Sequence, residues 1–164
     1  MVDSSKRRLF LPSSANQAYS SLPWIKQPSS FHQDCTQCGD CINVCETKVI
    51  VKGSGGFPGI NFDIGECTFC YACAESCDES IFSPKTVKPW QKVAEVSDAC
   101  LARKNIECRS CSDACEPMAI EFQLQIGKVG QPIIDIDTCT GCGGCVSVCP
   151  VSAIDVSTLI SEGA

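Results

Sequence analysis

The sequence predicts an α+β fold made of two similar halves in tandem, each built on a short β-hairpin and short helices. Three observations carry that expectation. The 164 residues contain 16 cysteines that fall into four groups of four, so the chain is a fourfold repeat. Within each half, two β-rich runs joined by turn residues separate one group from the next. Isoleucine and valine together number 26 against six leucines, which favours short strands and tight turns over long amphipathic helices.

Taken in order, residues 1–30 hold eight Ser and three Pro with little periodicity and read as an extended, basic N-terminal tail. Residues 31–82 form the first half. In it Lys48-Val49-Ile50-Val51 and Ile60-Asn61-Phe62-Asp63 flank the turn Gly53-Ser54-Gly55-Gly56, a β-hairpin pattern. Those glycines lack a GxGxxG fingerprint and a following helix, so they read as a turn and not as a phosphate loop. Residues 83–99 contain no cysteine but include Pro84 and Pro89, and they read as a connector. Residues 100–157 form the second half, where Ile120-Glu121-Phe122 and Ile133-Ile134-Asp135-Ile136 repeat the hairpin plan, and 158–164 form a C-terminal tail.

The groups are Cys35, Cys38, Cys41, Cys45; Cys67, Cys70, Cys73, Cys77; Cys100, Cys108, Cys111, Cys115; and Cys139, Cys142, Cys145, Cys149. The first, second and fourth have the spacing CxxCxxCxxxC, the run used for bacterial-type iron–sulfur ligation. Two-residue gaps wrap a loop around one face of a cluster, so that three thiolates reach three irons while backbone N–H groups face the sulfurs. The fold class therefore sharpens to tandem bacterial-type 4Fe-4S ferredoxin-like halves, with four 4Fe-4S clusters as cofactors. Clusters also answer a deficit in the composition. Without the cysteines, the 44% counted as hydrophobic falls to about a third of the chain, low for a self-sufficient core.

Two other uses of so many cysteines fit less well. A disulfide framework needs no fixed ligand spacing, and residues 1–30 hold no apolar run long enough for a secretion signal. Structural zinc takes four thiolates, but from CxxC pairs separated by a long loop, whereas here CxxCxxC occurs three times.

In two-cluster ferredoxins the last cysteine of each run ligates the other cluster. The crossed assignment is then Cys35, Cys38, Cys41 with Cys77; Cys67, Cys70, Cys73 with Cys45; Cys100, Cys108, Cys111 with Cys149; and Cys139, Cys142, Cys145 with Cys115. Each half is stitched by its own two clusters, and cluster loss should unfold it, as metal loss unfolds small zinc domains.

The third group departs from the pattern. Seven residues separate Cys100 from Cys108, and Asn105 stands where the first cysteine would normally be. Cys100 is either the displaced ligand, which brings the total to the sixteen that four clusters need, or a buried spectator beside an incomplete site.

Proline follows the last cysteine only at Pro150; Glu46, Asp78 and Glu116 occupy the other places. Carboxylates there would disfavour an added electron, unless they are simply solvated surface charges. Phe69 and Tyr71 read as packing that excludes water from a cluster, and the single histidine, His32, as structural. No nucleophile–base set or nucleotide fingerprint is visible, so independent enzymatic activity is not expected.

The net charge of −6 is uneven. Lys6, Arg7, Arg8 and Lys26 against Asp3 leave +3 in residues 1–30 and −9 in the rest. Such a body is a poor partner for nucleic acid, and no run approaches the length that membrane insertion requires. Residues 5–11 resemble a twin-arginine export motif, but Pro12-Ser13-Ser14-Ala15-Asn16-Gln17 follows where an apolar stretch is needed, so the reading is cytoplasmic retention.

With these motifs in hand the chain resembles the NapF-type ferredoxins, accessory proteins of the periplasmic nitrate reductase system. The most specific parts are Arg7-Arg8, Cys67-Thr68-Phe69-Cys70-Tyr71-Ala72-Cys73, the stretched third group ending in Glu116-Pro117-Met118-Ala119-Ile120, and Cys149-Pro150-Val151-Ser152-Ala153-Ile154. The resemblance covers most of the chain and implies that Cys100 is a ligand. It also implies a cytoplasmic protein that meets the precursor of the nitrate reductase catalytic subunit and assists its maturation before export. A soluble electron carrier or electron-transfer subunit, and a redox or iron sensor, are the alternative functions. Spacing alone establishes cluster binding and leaves the oligomeric state open.

Overall fold

The computed structural model describes residues 21–159. Arg7 and Arg8 lie outside the described residues. The elements run α1 (Phe31–Asp34), α2 (Asp40–Val44), β1 (Ile50–Lys52), a 3-10 turn (Ser54–Gly56), β2 (Pro58–Ile60) and α3 (Ala72–Glu75). They continue as β3 (Lys92–Val96), α4 (Ser110–Asp113), β4 (Ile120–Gln125), β5 (Lys128–Ile134), α5 (Gly144–Ser147) and β6 (Ile154–Thr158).

Helices of four or five residues cannot sustain themselves in water and must be held by their neighbours. Here α2 packs on α3 and α4 on α5, one pair in each half. The expected hairpins form: β1 pairs antiparallel with β2, Ile50 opposite Ile60, and β4 with β5, Ile120 opposite Ile134. At the first turn Gly55 and Gly56 have φ of 68° and 86°, a backbone that glycine adopts without strain.

The third strand pair was not visible in the sequence. β3 pairs antiparallel with β6, Ala94 opposite Val156, so residues 92–96 of the expected connector are part of the second half's framework. The signal is short: Val93 and Ala94 are buried, but two prolines and a run of polar residues precede them. The expected N-terminal tail is also shorter than 1–30. Leu22 and Trp24 are 3% and 4% exposed, Trp24 N–H donates to the Pro89 carbonyl at 2.7 Å, and its indole Nε1 donates to Val87 O at 2.8 Å. Burial of the Leu22 and Trp24 side chains, worth about 1.5–3 kcal/mol each, holds residues 21–30 on the body.

The core is small and incorporates cysteine. One cluster joins Leu22, Val49, Ile50, Ile60 and Phe62 with Cys45 and Cys73, and it takes Val156 from β6, so the halves share it. The other gathers Ala94, Ile120 and Ile154 around Cys145.

The halves meet at two cysteine loops. Cys67 N–H donates to Cys142 O at 2.9 Å. Trp90 bridges the same place: its Nε1 donates to Thr140 O at 2.8 Å, while its ring sits edge-on to Phe69, 5.4 Å between centroids, and to Phe62 at 6.3 Å.

Candidate cluster-binding sites

In all four groups the third cysteine, Cys41, Cys73, Cys111 or Cys145, rides on a single-turn helix, α2, α3, α4 or α5. In the three regular groups the residues on either side of the second cysteine are left-handed: Gln37 and Gly39 around Cys38, Phe69 and Tyr71 around Cys70, Gly141 and Gly143 around Cys142. This double reversal curls the loop so that its cysteines face one centre. It costs about 1 kcal/mol or more at each non-glycine residue, which the packing must offset. For Phe69 and Tyr71 that packing is visible. Tyr71 meets Trp24 edge-on at 5.0 Å and donates its hydroxyl to Ser83 O at 2.8 Å. The glycines of the fourth group serve a further purpose, since a Cβ at Gly143 would overlap the Phe62 ring and one at Gly141 would lie 2.6 Å from Lys92 O.

Cysteines from different groups come together in each half. One pocket is lined by Cys45, Cys67, Cys70 and Cys73, together with Val49 and Ile50. A second is lined by Cys115, Cys139, Cys142 and Cys145. In both, the fourth cysteine comes from the partner group of the same half. Cys41 has Cys35, Cys38 and Cys77 as electrostatic neighbours, which collects the third set. Cys111 has Cys100 and Cys108, and Cys149 packs against the same apolar cluster as Cys111.

Cys100 is brought to the third group by a separate turn. Lys104 N–H donates to Cys100 O at 3.1 Å and Ile106 N–H to Leu101 O at 2.9 Å, around a fully buried Ala102. Asn105 ends the turn at φ 62°, and its Oδ1 accepts the Val129 N–H at 2.9 Å. Gln131 Nε2 donates to Ala102 O at 2.7 Å. Thus Asn105, where a cysteine is missing, is the residue that fixes the detour supplying Cys100.

Five of the more buried sulfurs resist standing as free thiolates. Burial, reinforced by neighbouring cysteines, pushes Cys41, Cys67 and Cys111 up to about 11 and Cys73 and Cys145 up to about 12. Such thiols stay protonated until a metal replaces the proton, so loading releases protons. Backbone N–H groups point at several sulfurs: Ala119 to Cys115 Sγ at 3.3 Å, Ala153 to Cys149 Sγ at 3.2 Å and Ala94 to Cys139 Sγ at 3.5 Å. Cys45 is the exception in direction. Burial pushes it up, but N–H groups of Ile50, Val49 and Lys48 and the Thr47 hydroxyl outweigh burial and leave it below the ordinary thiol value.

All sixteen cysteines are free thiols. Among the described residues no three His, Cys, Asp or Glu side chains converge as ligands of a single ion do. A 4Fe-4S cluster asks for one thiolate on each of four irons, and the two sulfur-lined pockets each present that donor set. When bound, such a group supplies reversible one-electron chemistry. The residues expected to modulate it are placed as follows. Glu46, Asp78 and Glu116 are exposed, which favours the solvated reading. His32 meets Phe57 edge-on, 4.6 Å between ring centroids. Sequence reasoning missed Trp90 and Thr47; their signals were a lone tryptophan in a Pro-containing segment and a hydroxyl two residues past a closing cysteine.

Residues 34–82 and 105–153 each match a family model described as a 4Fe-4S dicluster domain. The chain is thus a tandem ferredoxin-type iron–sulfur protein, and two dicluster domains with sixteen cysteines fit four 4Fe-4S clusters. Cys100 lies upstream of the second matched range. The chain is 47% identical over 137 residues to the ferredoxin-type protein NapF of Escherichia coli strain K12, covering 84% of each chain. It is 49% identical to that of Haemophilus influenzae, covering 84% of this chain and 78% of the relative. The ferredoxin-type protein NapG of Escherichia coli strain K12 is 28% identical over 77% of this chain and 64% of its own. The chain belongs to the NapF family of ferredoxin-type proteins. Among the described residues no helix is long and apolar enough to cross a membrane.

Proposed function

We propose that this protein is an iron–sulfur accessory factor that assists maturation of the periplasmic nitrate reductase catalytic subunit in the cytoplasm, before export, without catalysis of its own. Family membership, at 47% and 49% identity over 84% of the chain, carries this reading. The sixteen cysteines act as ligands in the four crossed sets, Cys100 included, and the two cavities lined by closing cysteines of partner groups support the crossing. Pull-down from cytoplasm should recover the cofactor-poor precursor of the catalytic subunit. Recovery of only the mature, exported form would defeat the maturation reading.

One observation favours electron transfer as a second reading. Neighbouring sulfurs run without interruption through all four groups, from Cys41 to Cys73, from Cys67 to Cys142 across the halves, and from Cys145 to Cys111. Gene deletion separates the two functions. A reductase that accumulates fully loaded but receives no electrons points to relay; one that accumulates without its cofactors points to maturation.

A further inference from the structure

The cysteines that close the four groups have unequal surroundings. Cys115 and Cys149 each accept the N–H of the residue four places on. Cys77 accepts from Glu79 N–H, while burial, Cys38, Cys35 and the Glu79 carboxylate all oppose negative charge on it. Cys45 is 9% exposed, faces the N–H groups of Lys48, Val49 and Ile50, and lies with its Sγ 3.6 Å from Thr47 Oγ1. An iron-bound cysteine is a thiolate without a proton, so of these two groups only the hydroxyl can donate. Two places past the closing cysteine stand Thr47, Glu79, Pro117 and Val151, and Thr47 alone carries a hydroxyl.

We propose that Thr47 is a positioning residue whose hydroxyl donates to the Cys45 thiolate and raises the reduction potential of the site formed by Cys45, Cys67, Cys70 and Cys73. One-electron reduction adds negative charge that the thiolates share. A donor aimed at a thiolate therefore favours the reduced form over the oxidised one. The walls around Cys45 are mainly apolar and Cys45 itself is buried, which strengthens the effect of a single hydrogen bond. Thr47 thereby biases an electron toward the site that adjoins the second half, where Cys67 N–H meets Cys142 O.

The inference rests on Cys45 being a ligand. Cys45→Ala with full iron and sulfide and unchanged spectra would remove that premise, a result distinct from any effect at Thr47.

The test is a redox titration of the anaerobically loaded full chain, with dithionite as the one-electron reductant, its sulfur dioxide radical anion being oxidised to sulfite. Each reduced centre is followed by electron paramagnetic resonance. Thr47→Val keeps the shape and removes the hydroxyl, and it should make reduction of one centre about tenfold less favourable, about 59 mV. Thr47→Ser restores the hydroxyl and should return that centre to the native value. Native potentials throughout in Thr47→Val, or a serine variant displaced as far as the valine variant, would overturn the proposal. If Thr47→Val binds less iron than the native chain, Thr47→Ala reads the same potential with the same two outcomes.

Discussion

The fourth and third cysteine groups position their cysteines by different means. In the fourth, Gly141 and Gly143, at φ 70° and 84°, curl the chain around Cys142, and both are buried against the body, at Lys92 and Phe62. In the third, Glu107 and Arg109 hold the matching places; neither is left-handed, Arg109 has φ −135°, and both side chains are exposed and paired with each other at 3.0 Å. That exposed pair contributes little. In the third group the turn around Ala102 carries Cys100 back toward Cys111, tied to β5 by Asn105 accepting the Val129 N–H and by Gln131 donating to Ala102 O. The first arrangement is written into local backbone conformation. The second depends on tertiary contacts, so it should be the easier one to lose.

Breaking the rigid side should have the largest effect. Gly143→Val forces a β-branched side chain into a left-handed backbone and into the Phe62 ring, at a cost of about 3 kcal/mol or more. Iron content should fall by at least the second half's share, and the remaining folded population should unfold at lower denaturant.

On the other side of the comparison, Cys100→Ala should remove one cluster, about four of about sixteen irons, and leave the spectra of the other three intact. Retention of four 4Fe-4S clusters would show that Cys100 is not a ligand. A milder change is Asn105→Ala, which deletes the acceptor of Val129 N–H and disfavours the left-handed turn, about 1 kcal/mol. Chelator challenge should then draw iron from one site faster than in the native chain, with the other three releasing at the native rate.

The smallest effect concerns Lys92, whose carbonyl closes over Gly141. Burial, partly countered by Asp155, lowers its amine from 10.5 to about 8. Below pH 8 folded and unfolded chains both carry the proton, and the desolvation cost is fully present. As pH rises from about 8 toward 10.5 the unfolded chain binds more protons than the folded one, so the cost is relieved and stability rises. Lys92→Met removes the titration. Anaerobic denaturation should show the variant's advantage largest below pH 8 and shrinking across that interval.

Much of this was legible in the residues. CxxCxxCxxxC located three groups, and the behaviour of such runs gave the crossed sets as an expectation. The hairpins at Ile50 and Ile120 were readable because β-branched runs flank turn residues. The β3–β6 pair was not, since five residues after two prolines carry no period that distinguishes a strand from a linker. Leu22 and Trp24 were hidden in a Ser- and Pro-rich segment, where composition outweighs two large apolar side chains. Trp90 became meaningful only when folding set it between Phe69 and Thr140, 50 residues apart from the latter in sequence. Cys100 sat between these cases: the count demanded it, spacing argued against it, and only the turn around Ala102 shows how it reaches the group.

Iron and acid-labile sulfide per chain, assayed on anaerobically purified full-length protein, test the four-site arrangement most directly. About sixteen of each is the expected result, with no cysteine open to alkylation. About twelve of each, with Cys100 alkylated as a free thiol, would contradict it.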